Sequence, residues 1–191
     1  MYLKKMDYLN RDQIQTLLEF TSVRSTNRFL LEMKPYLSSF RDGYDTIYYL
    51  NAEGRHKIGC QRIRKKTIQA RHYIMRSQVY IAFQCPDYWR NELTIEDANN
   101  KKNRIVCDAL FKVNGISYIL EVDNEQKIYK NKLKIERYKA IEVAGIFQND
   151  PNFFRKFPEL VWITTSEYRR KQLKEMCGGL QHEVYTFDDL R

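Results

Sequence analysis

The stretch over residues 105–139, IVCDALFKVNGISYILEVDNEQKIYKNKLKIERYK, constrains the fold more than any other part of the chain. Two runs rich in β-branched and aromatic residues, 105–113 and 117–122, flank the pair Asn114-Gly115. Asn and Gly tolerate the positive φ angles that the tightest hairpin turns require, so the pair predicts two antiparallel strands. Past Asp123, the apolar residues Ile128, Leu133, Ile135 and Tyr138 stand among Lys, Glu and Arg, which predicts a helix with a charged outer face. The unit is therefore strand, turn, strand, helix. It places Asp108 on the first strand and Glu121 and Asp123 at the end of the second, so three carboxylates are expected to converge.

The rest of the second half continues this pattern. Residues 160–164 read as a buried strand, and Ser166 starts a helix carrying Tyr168, Leu173 and Met176 that Gly178-Gly179 ends. Residues 183–187 read as a last strand. Strand, helix, strand after a hairpin-helix unit predicts an α/β arrangement with helices covering a central mixed sheet. Trp89 and Trp162 are expected to pack in cores.

The first half reads differently. Asn10 with Gln13 three residues on forms a capping pair before Ile14, Leu17 and Leu18, the first helix. A second helix starts among Thr21, Ser22 and Ser25, buries Phe29, Leu30 and Met33 as one stripe, and ends near Lys34, because the residue before Pro35 is pushed out of helical geometry. Arg24, Thr26, Asn27 and Arg28 cluster at its beginning. A helix N-terminus donates to phosphate, and Arg and Asn read base edges when a helix enters the major groove; the alternative is a solvated helix face.

Residues 37–40 and 46–50 then flank the turn signal Arg41-Asp42-Gly43. Helices followed by a hairpin with a basic tip predict a winged helix-turn-helix, with Ile47 and Tyr49 facing the helices and Arg41 meeting phosphate. From Ile58 onward an amphipathic pattern predicts one long helix joining the two halves. Its basic run, Arg64, Lys65 and Lys66, is either a second DNA contact or the solvated side of that helix. His72 is expected to be packed or capping, since it has no Cys or His partner at metal-ligand spacing.

Charge points the same way. Residues 1–80 carry 15 Lys and Arg against 7 Asp and Glu, whereas residues 81–191 carry 18 against 17. A positive field concentrated in one segment attracts phosphate backbones, because neutralising them releases condensed counterions. Cys60, Cys85, Cys107 and Cys177 are widely spaced with no Cys-x-x-Cys, which argues against a zinc site or a dense disulfide framework. No run approaches the length of a membrane span and the N-terminal residues lack the apolar core of a signal peptide, so a cytoplasmic protein is expected.

A hairpin ending in IYYLNAEGRHKIG, a helix containing His72, and a second module carrying CDALF, LEVDNE and KLKIERY together resemble the replication-relaxation family of plasmid and mobile-element proteins. Cys107-Asp108-Ala109 stands where that family usually presents Pro-Asp-Gly, and Glu121-Val122-Asp123 matches its Glu-Val-Asp pattern. The resemblance implies a DNA-associated role in replication or its control. More distantly, the second module resembles the restriction-endonuclease-like fold with its PD-(D/E)xK signature. That resemblance implies that Asp108 and Glu121 bind a divalent cation, Mg²⁺, with Asp123 in the place of the signature's lysine and Lys132 or Lys134 reaching back to substitute for it.

The expected class is α/β, or α+β taken whole: a winged helix-turn-helix over residues 1–60, a connecting helix over 61–84, and a nuclease-like mixed-sheet module over 85–191. The expected function is duplex DNA binding in the replication, control or transfer of a plasmid or mobile element, without catalysis. Two alternatives are Mg²⁺-dependent nicking by Asp108, Glu121, Asp123 and Lys132, and a winged helix that binds a replication or conjugation protein. A homodimer would match two half-sites.

Overall fold

The computed structural model describes residues 2–97, 100–124, 126–153 and 155–191, with the side chains of Lys101 and Lys102 excepted. Glu125, the last residue of the LEVDNE motif, lies outside them. The chain divides into two compact units, Met1–Ile81 and Ala82–Arg191. Among the described residues there are seven α-helices, a three-stranded antiparallel sheet and a five-stranded mixed sheet. No described helix is long and apolar enough to cross a membrane.

In the first unit, α1 (Tyr2–Met6) leads through β1 (Leu9–Asn10) into α2 (Arg11–Leu17). The expected capping box is present: the Gln13 backbone N–H donates to Asn10 Oδ1 at 2.9 Å, and the Asn10 N–H donates to Gln13 Oε1 at 3.3 Å. Next, α3 (Val23–Glu32) is capped by Ser22, whose Oγ accepts from Ser25 N–H. A 3-10 turn containing Pro35 ends that direction and delivers the chain into β2 (Leu37–Asp42) and β3 (Asp45–Leu50). These strands pair in register across the turn at Gly43, and β1 adds to the other edge of β3, giving the order β1-β3-β2. Ile47 on β3 is buried in the core with Leu9, Ile14, Leu17 and Leu30. Tyr49 is half-buried against the ring of Tyr8.

The tyrosine-leucine sequence of the family-like motif ends β3, and Asn51 caps α4 (Ala52–Lys57). The Asn51 amide donates to the Pro35 carbonyl at 2.9 Å and its Oδ1 accepts from Gly54 N–H. Gly54 is required for close approach: a Cβ there would lie 2.1 Å from the Tyr36 carbonyl oxygen.

The long helix expected from Ile58 onward is not present as such. Helix α5 spans only Ala70–Ala82, and residues 59–66 run without regular structure. The apolar spacing suggests a helix, but tertiary contacts hold the segment open. Arg62 and Arg64 both reach the buried Asp7 carboxylate, at 3.4 and 3.0 Å, and the Tyr8 hydroxyl donates to the Lys65 carbonyl at 2.7 Å. Arg76, fully buried on α5, completes the pairing to Asp7 at 2.9 Å. A charge buried this deeply needs several partners, and an extended segment supplies them.

The second unit is one sheet in the order β4-β5-β6-β7-β8: β4 (Trp89–Asp97), β5 (Asn100–Val113), β6 (Ile116–Asp123), β7 (Glu159–Thr164) and β8 (His182–Thr186). The first three are antiparallel and the last three parallel. Asn114 and Gly115 both have positive φ, 49° and 80°, as the hairpin turn demands. Helices α6 (Ile128–Val143) and α7 (Glu167–Met176) connect the parallel strands. Ile135 and Tyr138 from α6 and Leu173 from α7 join Ile119, Leu160 and Trp162 in one cluster. The opposite face of the sheet carries stacked rings, Trp89 on Phe111 and Phe111 on Tyr118. All four cysteines are free thiols.

Candidate functional site

Two groups of side chains carry candidate chemistry, one in each unit. On α3 the helical phase decides which polar residues face outward. Thr26 and Leu30, four apart, are buried, so Arg24, Asn27 and Arg28 are exposed. Thr26 is a correction to the expected groove contacts. It is completely buried, and its hydroxyl donates to the Ser22 carbonyl at 3.0 Å, so it serves the helix start. Arg28 pairs with Glu32 at 3.1 Å on the exposed face, a contact that solvent weakens to well under about 1 kcal/mol. The Arg24 and Asn27 side chains project from the same first turns.

Arg41 lies near the β2–β3 turn and is exposed, donating to Thr46 Oγ1 across the hairpin at 3.1 Å. Tyr44 at the turn itself is fully exposed, a contact candidate the turn signal alone did not mark. Lys65 and Lys66 are exposed on the irregular segment, whereas Arg64 is three-quarters buried and engaged with Asp7.

The second unit brings acidic residues together at the end of β6, where β5 stops pairing with it. The β5–β6 register runs from Val113↔Ile116 to Ala109↔Leu120. Beyond that pair the Asp108 side chain replaces the ladder, its Oδ2 accepting the Val122 N–H at 2.7 Å. Glu121 is buried at 1% exposure. Its two carboxylate oxygens accept from the Lys134 ammonium and the Tyr138 hydroxyl. Burial, reinforced by the nearby Asp108 charge, pushes the Glu121 carboxyl up to about 8, although Lys134 acts against the rise. Burial works against a charge on Lys134, but Glu121 and Asp108 outweigh it and hold that amine above its usual range. The Tyr138 phenol is pushed far up by burial and then by the Glu121 charge.

Asp123, two residues on, belongs to a different network and does not join these groups. It is fully buried, and its oxygens accept from Arg169 Nε and Nη2 at 2.6 Å each, Thr164 Oγ1 at 2.7 Å and Asn131 Nδ2 at 2.8 Å. The bidentate guanidinium and two further donors fill its acceptor sites. It therefore ties β6 to β7, α6 and α7, and it has no free oxygen for catalysis.

The lysine of this site is Lys134, and Lys132 is exposed on the outer face of α6. Two helical steps turn a side chain by about 200°. Asn131, Ile135 and Tyr138 set the inward phase, which includes Lys134 and excludes Lys132. Asn131, Tyr138 and Arg169 were legible in sequence only as a polar residue, a core aromatic and part of a basic helix face.

The donor set does not fit the Mg²⁺ that the endonuclease resemblance implies. A hard cation needs several ionised or carbonyl oxygens open to it. Both Glu121 oxygens already accept hydrogen bonds from Lys134 and Tyr138, and Asp123 is consumed by Arg169. Among the described residues no group of three or more His, Cys, Asp or Glu is placed to hold a metal ion.

None of the curated proteins matches the chain. The sequence profile of the family described as replication-relaxation matches residues 1–156, the whole first unit and the second through α6. With the match extending over most of its length, the chain belongs to the replication-relaxation family, a membership that implies a role associated with plasmid replication.

Proposed function

We propose that this protein binds duplex DNA on a plasmid or other mobile element, in replication, its control or transfer, through a winged helix formed by α2, α3 and the β2–β3 hairpin. The observation that carries the reading is the outer face of α3. Arg24, Asn27 and Arg28 are exposed at the start of a helix whose other side, Thr26 and Leu30, anchors it in the core. A helix N-terminus with guanidinium and amide side chains has the donors that guanine and adenine present acceptors for in the major groove. Arg41 and Tyr44 on the hairpin supply the backbone contact, and Lys65 and Lys66 add charge beside it.

The second unit is a module of nuclease-like ancestry whose carboxylate centre is closed. Lys134 and Tyr138 occupy Glu121, and Asp123 is a structural ion pair, so the unit contributes a stable body and no cleavage. Selection of bound fragments from the protein's own replicon tests the proposal. The expected result is enrichment of one short duplex site, lost when Arg24, Asn27 and Arg28 are replaced by alanine. Recovery of no enriched fragment by the folded wild type, with retention of a protein from the replication or transfer apparatus in its place, would favour the protein-partner reading.

A further inference from the structure

The second unit carries almost balanced charge, yet four cations gather around one cleft between β5 and α6. The cleft has a volume of about 480 Å³ and is lined by Arg104 from the strand and by Lys130, Lys134 and Arg137 from the helix. Lys130, Lys134 and Arg137 fall at i, i+4 and i+7, which puts all three on one helical stripe. Val106 and Leu133 line the same cleft and are about half exposed, at 46% and 49%. Acidic side chains engage two of the four cations, Arg104 and Lys134. Glu96 stands 3.8 Å from Arg104 with both side chains exposed, and Glu121 and Asp108 both act on Lys134. Lys130 and Arg137 face solvent.

We propose that this cleft binds single-stranded nucleic acid, with Arg104, Lys130 and Arg137 on its phosphates and Val106 and Leu133 under a base. Cations alone would suit any polyanion. The half-exposed apolar floor selects among them, because a duplex keeps its base faces stacked inside while a single strand has base faces to lay on Val106 and Leu133. This site is separate from the face of α3 and does not depend on it.

The test uses the full chain and a labelled oligothymidylate of about 16 nucleotides, the upper range of a single-strand site. The variant Lys130→Glu/Arg137→Glu is expected to bind it at least tenfold more weakly, with the slope of log affinity against log salt reduced by about 1.4, or about 0.7 for each lost phosphate contact. Leu133→Ser is expected to weaken binding while leaving that slope unchanged. Unchanged affinity in the folded charge-reversal variant would overturn the proposal. Displacement of the oligonucleotide by thymidine monophosphate at equal phosphate concentration would overturn it too, by showing a free-nucleotide site. An equal loss of affinity for duplex and single strand in the charge-reversal variant would overturn the single-strand assignment. Replacing Arg24, Asn27 and Arg28 by alanine is expected to leave oligothymidylate binding intact, so a failure of the α3 reading registers separately.

Discussion

At the scale of single residues, Gly54 and Glu121 carry the sharpest consequences. Gly54→Ala drives a methyl group into the Tyr36 carbonyl where α4 meets the 3-10 turn, and backbone cannot move aside as a side-chain tip can. The expected cost is about 1–3 kcal/mol or more, the range for overpacking, read from urea denaturation of the full chain by circular dichroism. Glu121 has a native pKa raised from the ordinary 4.5 to about 8, so the folded state holds a proton that the unfolded state has released. The stability this proton supplies is fully present below about pH 4.5 and is lost as pH rises through about 8. The advantage of wild type over Glu121→Gln is therefore expected to shrink across that window. Tryptophan fluorescence follows it, because Trp89 and Trp162 both lie in the second unit. An advantage that stays flat across that window would mean that Glu121 is ionised throughout.

At the scale of elements, the Arg169–Asp123 pair fastens α7 to the ends of β6 and β7. Arg169→Ala leaves a buried carboxylate without its cation, at an expected cost of about 3–5 kcal/mol in denaturant unfolding, whereas a neutralising exchange of both partners costs less. This pairing also shows where sequence reading ends. The Asn114-Gly115 turn and the Asn10/Gln13 capping box are legible because their causes are local, a positive φ and a hydrogen bond three residues away. Residues 58–69 have helical spacing but are held open by Asp7, more than fifty residues distant in sequence. The choice between Lys132 and Lys134 turned on helix phase, which Asn131 and Tyr138 set only once both faced the strand ends. Strand β4 is not legible in the sequence because Asn91 breaks its apolar alternation of Trp89, Leu93 and Ile95.

At the scale of the whole molecule, the proposed binding of DNA without cleavage rests on the excess of cations in residues 1–80 and on the closed carboxylate centre in the second unit. Supercoiled plasmid incubated with the wild type and Mg²⁺ or Mn²⁺ is expected to stay supercoiled; nicking that disappears in Asp108→Ala and Glu121→Ala would show that Lys134 and Tyr138 give way to a cation. The salt dependence of duplex binding bears most directly on the account, measured by fluorescence anisotropy with the full chain on a fragment of its own replicon. Affinity is expected to fall steeply with salt, with a slope of about −0.9 for each phosphate contact. Replacing Arg24, Asn27 and Arg28 by alanine is expected to remove the preference for that fragment over unrelated duplex. Duplex affinity indifferent to salt, or a preference that survives the triple replacement in a folded protein, would contradict the assignment of α3 as the reading helix.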